Sequence, residues 1–154
     1  MIAPTRSDTF KKAVLPCRVV SVVDGDTVKV ITRADPSDRW LQYSVRISEC
    51  DAPEMKGPTD LERQAAAVAK AFVQNLIQSS GSKGLGVLHC SNGQDKYGRL
   101  LGDIVLCGQS VSIGQQALHA GVARAYNGGT KDGWTPAELA RIISKPSSQI
   151  RRST

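Results

Sequence analysis

The chain has 154 residues, with 20 Lys and Arg against 14 Asp and Glu, a formal net charge of +6, 22% charged residues and 40% hydrophobic ones. That is the size of one soluble domain, and its mix of charge and apolar content excludes a fully disordered chain. No apolar run approaches the roughly 20 residues of a membrane span, and the basic balance points to an anionic partner, nucleic acid before a membrane surface.

Residues 1–16 read as an irregular lead-in, because Pro4 and Pro16 bracket a polar stretch with no signal-peptide core. Cys17 to Ile31 is β-branched on both sides of Asp24-Gly25-Asp26, which predicts a hairpin. After a polar loop at 33–39, Trp40 to Ser48 alternates as a third strand and ends at an acidic cluster, Glu49, Asp51 and Glu54. From Asp60 to Gln78, Leu61, Ala65, Val68, Ala69, Phe72, Val73, Leu76 and Ile77 recur at helical spacing. Thr59 and Glu62 form a capping-box pattern before this helix, and Ser79-Ser80-Gly81 ends it.

Gly86 to Cys90 and Arg99 to Cys107 read as two strands, joined by a loop that holds Asp95-Lys96-Tyr97-Gly98. Ser112 to His119 is a short helix, Gly121 to Tyr126 an extended edge, and Trp134 to Ser144 a last helix before a polar tail at 145–154. The order β-β-β-α-β-β is that of a five-stranded Greek-key barrel of the OB type. The expected class is therefore α+β, mainly β, with three helices and one domain spanning 17–144.

Two acidic clusters stand at the ends of strands: Asp24 and Asp26 after the first, Glu49, Asp51 and Glu54 after the third. On a small barrel these ends meet, and three or four carboxylates gathered together are costly unless a cation joins them. Such oxygen ligands suit Ca²⁺ or Mg²⁺. Read singly, Asp24-Gly25 is an ordinary turn and Asp51 to Glu54 an ordinary loop. Arg46 is unusual inside a β-branched strand, and Arg99 follows Gly98 at a strand start. Their forked donors fit phosphate oxygens, although each alone also reads as a surface residue or an ion-pair partner. Neither His89 nor His119 belongs to a ligand cluster. Cys17, Cys50, Cys90 and Cys107 lack CxxC spacing, which argues against zinc. Reduced thiols are expected, the alternative being a Cys90–Cys107 disulfide between paired strands.

Taken together, Val23-Asp-Gly-Asp-Thr-Val28, Val45-Arg-Ile-Ser-Glu-Cys-Asp-Ala-Pro-Glu54 and Asp95-Lys-Tyr-Gly-Arg99 resemble the staphylococcal nuclease (thermonuclease) family. The likeness runs from residue 17 to 126, with the helix between the second and third motifs. It implies an OB-fold, Ca²⁺-dependent phosphodiesterase that cleaves DNA and RNA without sequence preference, cutting at the 5′ oxygen to leave 3′-phosphate ends.

By this resemblance, Asp26 and Asp51 are carboxylate ligands of Ca²⁺ and Ala52 supplies a main-chain carbonyl. Ala52 departs from the threonine of the best-known member. Glu54 matches the candidate general base, Arg46 and Arg99 the phosphate-binding arginines, and Asp24 an acidic residue behind the metal. Lys96, Tyr97 and Tyr126 are substrate-binding candidates, the tyrosines by stacking on bases.

The alternative from another class is a noncatalytic OB module that binds single-stranded nucleic acid or a protein ligand; a third is a small-nucleotide phosphodiesterase. A monomer without a membrane partner is expected. A secreted or periplasmic site follows if a signal peptide has been removed, and a cytoplasmic one otherwise.

Overall fold

A computed structural model describes residues 10–126, 129 and 131–145 of the chain. The lead-in up to residue 9 and the tail from residue 146 lie outside the described residues. The elements are β1 (Val14–Asp24), β2 (Thr27–Thr32), β3 (Leu41–Ile47), β4 (Cys50–Asp51), α1 (Asp60–Ser79), β5 (Leu85–Gln94), β6 (Leu100–Leu106), α2 (Ile113–Ala120), β7 (Arg124–Ala125) and α3 (Pro136–Ile143).

Five strands close a barrel in the order β1-β2-β3-β6-β5. All neighbours are antiparallel except β3 and β6, and the long α1 stands between β3 and β5 in the chain, as expected for the OB type. Alternation builds the core: Leu15, Cys17, Val19, Val28, Val30, Val45, Ile47, Leu88, Leu100, Ile104 and Leu106 all point inward. Register shifts in β1 at Val19/Ser21 and Val22/Asp24 mark bulges, which add the twist that closure needs.

Helix α1 lays Ala65, Ala69, Phe72, Val73 and Leu76 on the core. Thr59 caps it by accepting the Glu62 N–H at 3.1 Å. Only half of the predicted box forms, because the Glu62 carboxylate turns away and accepts the Glu54 N–H at 3.2 Å. Among the described residues, no helix is long and apolar enough to cross a membrane.

Three boundaries differ from the sequence reading. Strand β1 begins at Val14, not Cys17, and Phe10 before it is 1% exposed, edge-on to Tyr43 with ring centroids 5.2 Å apart. Strand β5 extends to Gln94. The edge expected over Gly121 to Tyr126 shrinks to two residues that pair with β4, Cys50 opposite Ala125 and Asp51 opposite Arg124. All four cysteines are free. Cys90 sits opposite Gly102, whereas the Cys107 N–H bonds to Leu85 at the other end of β5. Five residues of strand, about 17 Å, separate the two thiols, far beyond disulfide reach.

Candidate functional site

The barrel register gathers the basic candidates on one face. Thr27 pairs with Arg46 and Lys29 with Ser44 across β2 and β3, while Arg46 pairs with Leu101 of the parallel β6. Val28, Val30, Val45 and Ile47 point inward, so Thr27, Lys29, Ser44 and Arg46 face outward. Arg99 stands one residue before Leu100, the partner of Val45 at the start of the β3–β6 ladder. At the end of the face lies the Asp24-Gly25-Asp26 turn. A Cβ at Gly25 would stand 2.8 Å from the Ala69 Cβ and 3.0 Å from the Ala52 Cβ, so glycine alone lets the turn lie this close to α1.

Here the two acidic clusters meet, through two carboxylates and not the three or four expected. Asp26, Arg46 and Asp51 are 4%, 5% and 3% exposed. Asp26 accepts the Thr27 hydroxyl at 2.9 Å and the Ala52 N–H at 2.8 Å. Arg46 donates through Nη1 to the carbonyls of Ile47 and Cys50. Its Nη2 lies 3.6 Å from Asp26 Oδ2 and 3.7 Å from Asp51 Oδ1. Those distances exceed hydrogen-bond length, and this buried nitrogen has no hydrogen-bond partner among the described residues. Burial pushes the Asp26 carboxyl above the ordinary range, against the opposing pull of Arg46, the Ala52 N–H and the Thr27 hydroxyl.

Asp51 has further cationic company. Arg124, its cross-strand partner, reaches Oδ2 at 3.0 Å through both Nε and Nη2. Lys131 Nζ is 3.4 Å from Oδ1. Arg124 also contacts Glu138 of α3 at 3.2 Å and stacks 3.9 Å from the Trp134 ring centroid. The last helix is thereby tied to the site. Tyr126 lies with its ring 5.6 Å from the Arg46 guanidinium, and its N–H donates to the Glu49 carbonyl at 2.9 Å. Arg46, Asp51, Arg124, Tyr126 and Lys131 line an open cavity of about 1050 Å³.

The remaining candidates stand apart. Asp24 accepts the Met55 N–H at 2.9 Å and so holds the loop after Ala52. Glu49 and Glu54 are exposed, Glu54 two residues beyond the fully buried Ala52. Arg99 belongs to a local cluster in which Asp95 accepts its N–H at 2.9 Å and its Nε at 2.8 Å. Tyr97, 72% exposed, lies between Lys96 and Arg99, with ring-centroid distances of 5.1 Å and 5.5 Å. No described contact joins this cluster to Asp26, Arg46 or Asp51.

Among the described residues, no group of three or more His, Cys, Asp or Glu is arranged to hold a metal. Asp26 and Asp51 are the two carboxylates that converge, and their hard oxygens fit Ca²⁺. The Arg46 Nη2 between them, ion-paired but not hydrogen-bonded, marks a polar gap that the hydrogen bonds of the described residues do not close. Sequence reasoning missed Arg124, Lys131 and Glu138. The signal for Arg124 was present, since a residue two before Tyr126 in an extended segment shares its side; Lys131 gave none.

Comparison with curated proteins returned no match. A family model described as staphylococcal nuclease homologue matches residues 44–142, which includes Arg46, Asp51, Glu54, Arg99, Arg124 and Tyr126. The barrel and the match together identify a nuclease-like OB-fold module of the nucleic-acid-binding kind. The chain belongs to the staphylococcal nuclease homologue family.

Proposed function

We propose that the protein is a Ca²⁺-dependent, sequence-nonspecific nuclease that hydrolyses DNA and RNA by attack of water and leaves 3′-phosphate ends. The observation that carries the reading is the buried Arg46 Nη2, ion-paired to two converging carboxylates yet without a hydrogen-bond partner among the described residues. Asp26, Asp51 and the Ala52 carbonyl hold the cation, and Asp24 steadies their loop. When bound, Ca²⁺ supplies the positive charge that neutralises the phosphodiester and eases attack on phosphorus. Glu54 takes a proton from the attacking water. Arg46 and Arg99 donate to the phosphate oxygens, where charge grows in the transition state. Lys96, Tyr97 and Tyr126 hold the flanking nucleotides. The protein acts as a monomer through one nuclease domain, whose core reaches back past the expected start at 17 to β1 from Val14 and to Phe10.

Degradation of plasmid and single-stranded DNA in Ca²⁺, stopped by chelator, is the expected result. Intact DNA in Ca²⁺ over a wide pH range overturns the proposal. Glu54→Gln should lose most cleavage while circular dichroism stays native. A second reading, a noncatalytic binding module, draws on one observation: Arg124 and Lys131 already neutralise Asp51. Salt-sensitive binding without cleavage, unchanged by chelator, would favour it.

A further inference from the structure

We infer that the outer face of β2 and β3 is a track for an unpaired polynucleotide strand, running from Arg46 to a stacking platform made by Trp40 and Arg33. The inference rests on the nuclease reading for the reactive end of that strand and adds where the strand goes next. The register lays the track out row by row: Thr27 with Arg46, Lys29 with Ser44, Ile31 with Gln42. One row further, Arg33 stacks 4.6 Å from the Trp40 ring centroid. That contact continues the alternation past the last paired residues, Thr32 and Leu41. On the other side, β1 places Ser21 beside Lys29 and Arg18 beside Ile31, both exposed.

Arg18, Lys29, Arg33 and Arg46 thus share a face whose outward positions from Arg18 to Ser21, Thr27 to Arg33 and Trp40 to Arg46 carry no Asp or Glu. A line of cations without intervening carboxylates complements a phosphate backbone. Trp40 is 48% exposed, and a tryptophan ring on a basic strand-bearing face is a platform for bases of any sequence. From Arg46 to Trp40 is six residues of strand, about 20 Å, the span of a few nucleotides. Acidic groups stand only at the two ends of this face: Asp26 and Asp51 beside Arg46 at 3.6 and 3.7 Å, and two aspartates beyond the platform in the 33–39 loop. There Asp35 is turned into its own loop by the Ser37 N–H and hydroxyl at 2.8 and 2.6 Å, and Asp38 is exposed.

The test pairs long and short substrates. Full-length protein in chelator is titrated with oligothymidylate and oligouridylate of about 12 nucleotides, within the site size of an OB-fold, and with a DNA duplex of equal length. In Ca²⁺, cleavage of a dinucleotide diester is measured in parallel. Trp40→Ala should weaken binding of the long single strand about tenfold, with Trp40→Phe restoring most of it and dinucleotide cleavage unchanged. Lys29→Ala should lower the salt slope by about one. Wild-type binding of both long strands by Trp40→Ala overturns the track while leaving the nuclease reading intact. Equal loss on the dinucleotide marks Trp40 as merely structural and overturns it too. The same Trp40 dependence for duplex overturns the choice of an unpaired strand. A wild-type protein that neither cleaves nor binds overturns the nuclease reading, and the track with it.

Discussion

The two halves of the candidate site are built in opposite ways. The corner of Asp26, Arg46 and Asp51 is buried and assembled over long sequence distances, through Asp26 to Ala52 and Asp51 to Arg124. The Arg99 hairpin is half exposed and assembled from neighbours, with Asp95 four residues away making nearly every contact. A buried charge cluster depends on the whole fold, and the fold depends on its balance. An exposed hairpin can change its chemistry without consequence for the barrel. One half is therefore fixed by stability, the other by local geometry alone.

The strongest test of that contrast is Arg46→Met. It leaves two carboxylates buried together, so denaturant unfolding should show a loss of about 3–5 kcal/mol along with the loss of cleavage. A stable, merely inactive Arg46→Met would mean that the buried corner does not depend on its charge balance. Arg99→Ala should do the reverse, costing about 100- to 1000-fold in kcat while stability shifts by less than about 1 kcal/mol. Asp95→Asn comes next. It frees the Arg99 side chain from its anchor, and about a tenfold fall in kcat is expected, as for outlying partners of reacting groups, at nearly unchanged melting temperature.

Asp26→Asn should separate the two properties, removing cleavage yet raising the metal-free melting temperature. Burial raises the Asp26 carboxyl above its ordinary 3.8, so the folded chain holds that proton more tightly than the unfolded one. The cost of its charge is full above the raised value and fades as pH falls through it. The gap between variant and wild type should accordingly narrow on acidification. A variant less stable than wild type at neutral pH would mean that Arg46 more than offsets the burial of Asp26.

Much of the barrel was legible, because alternation in β2, β3 and β6 and the 3.6-residue period of α1 are local signals. The start of β1 was not. Pro16 looks like a boundary, yet it is exposed in the strand and its carbonyl accepts the Thr32 hydroxyl at 2.7 Å. The motif residues of the site were readable in the same local sense. Arg124 and Lys131 were not readable as partners of Asp51, since pairs this distant in sequence meet only once the short β4–β7 ladder has formed. Glu62 misled in a subtler way. Its spacing from Thr59 is that of a capping box, but tertiary contact with the Glu54 loop takes its carboxylate instead.

The close approach at Gly25 has a mechanical consequence for the whole corner. The turn before Asp26 rests at Gly25 on two methyl groups, Ala69 of α1 and Ala52 of the loop that follows Asp51. The gap between that turn and its two supports is therefore gauged by apolar atoms that carry no charge. One added carbon at Gly25 or Ala69 would wedge that gap open and leave the electrostatics untouched. The spacing behind the charged corner is thus set partly on a face of α1 that carries none of its charges.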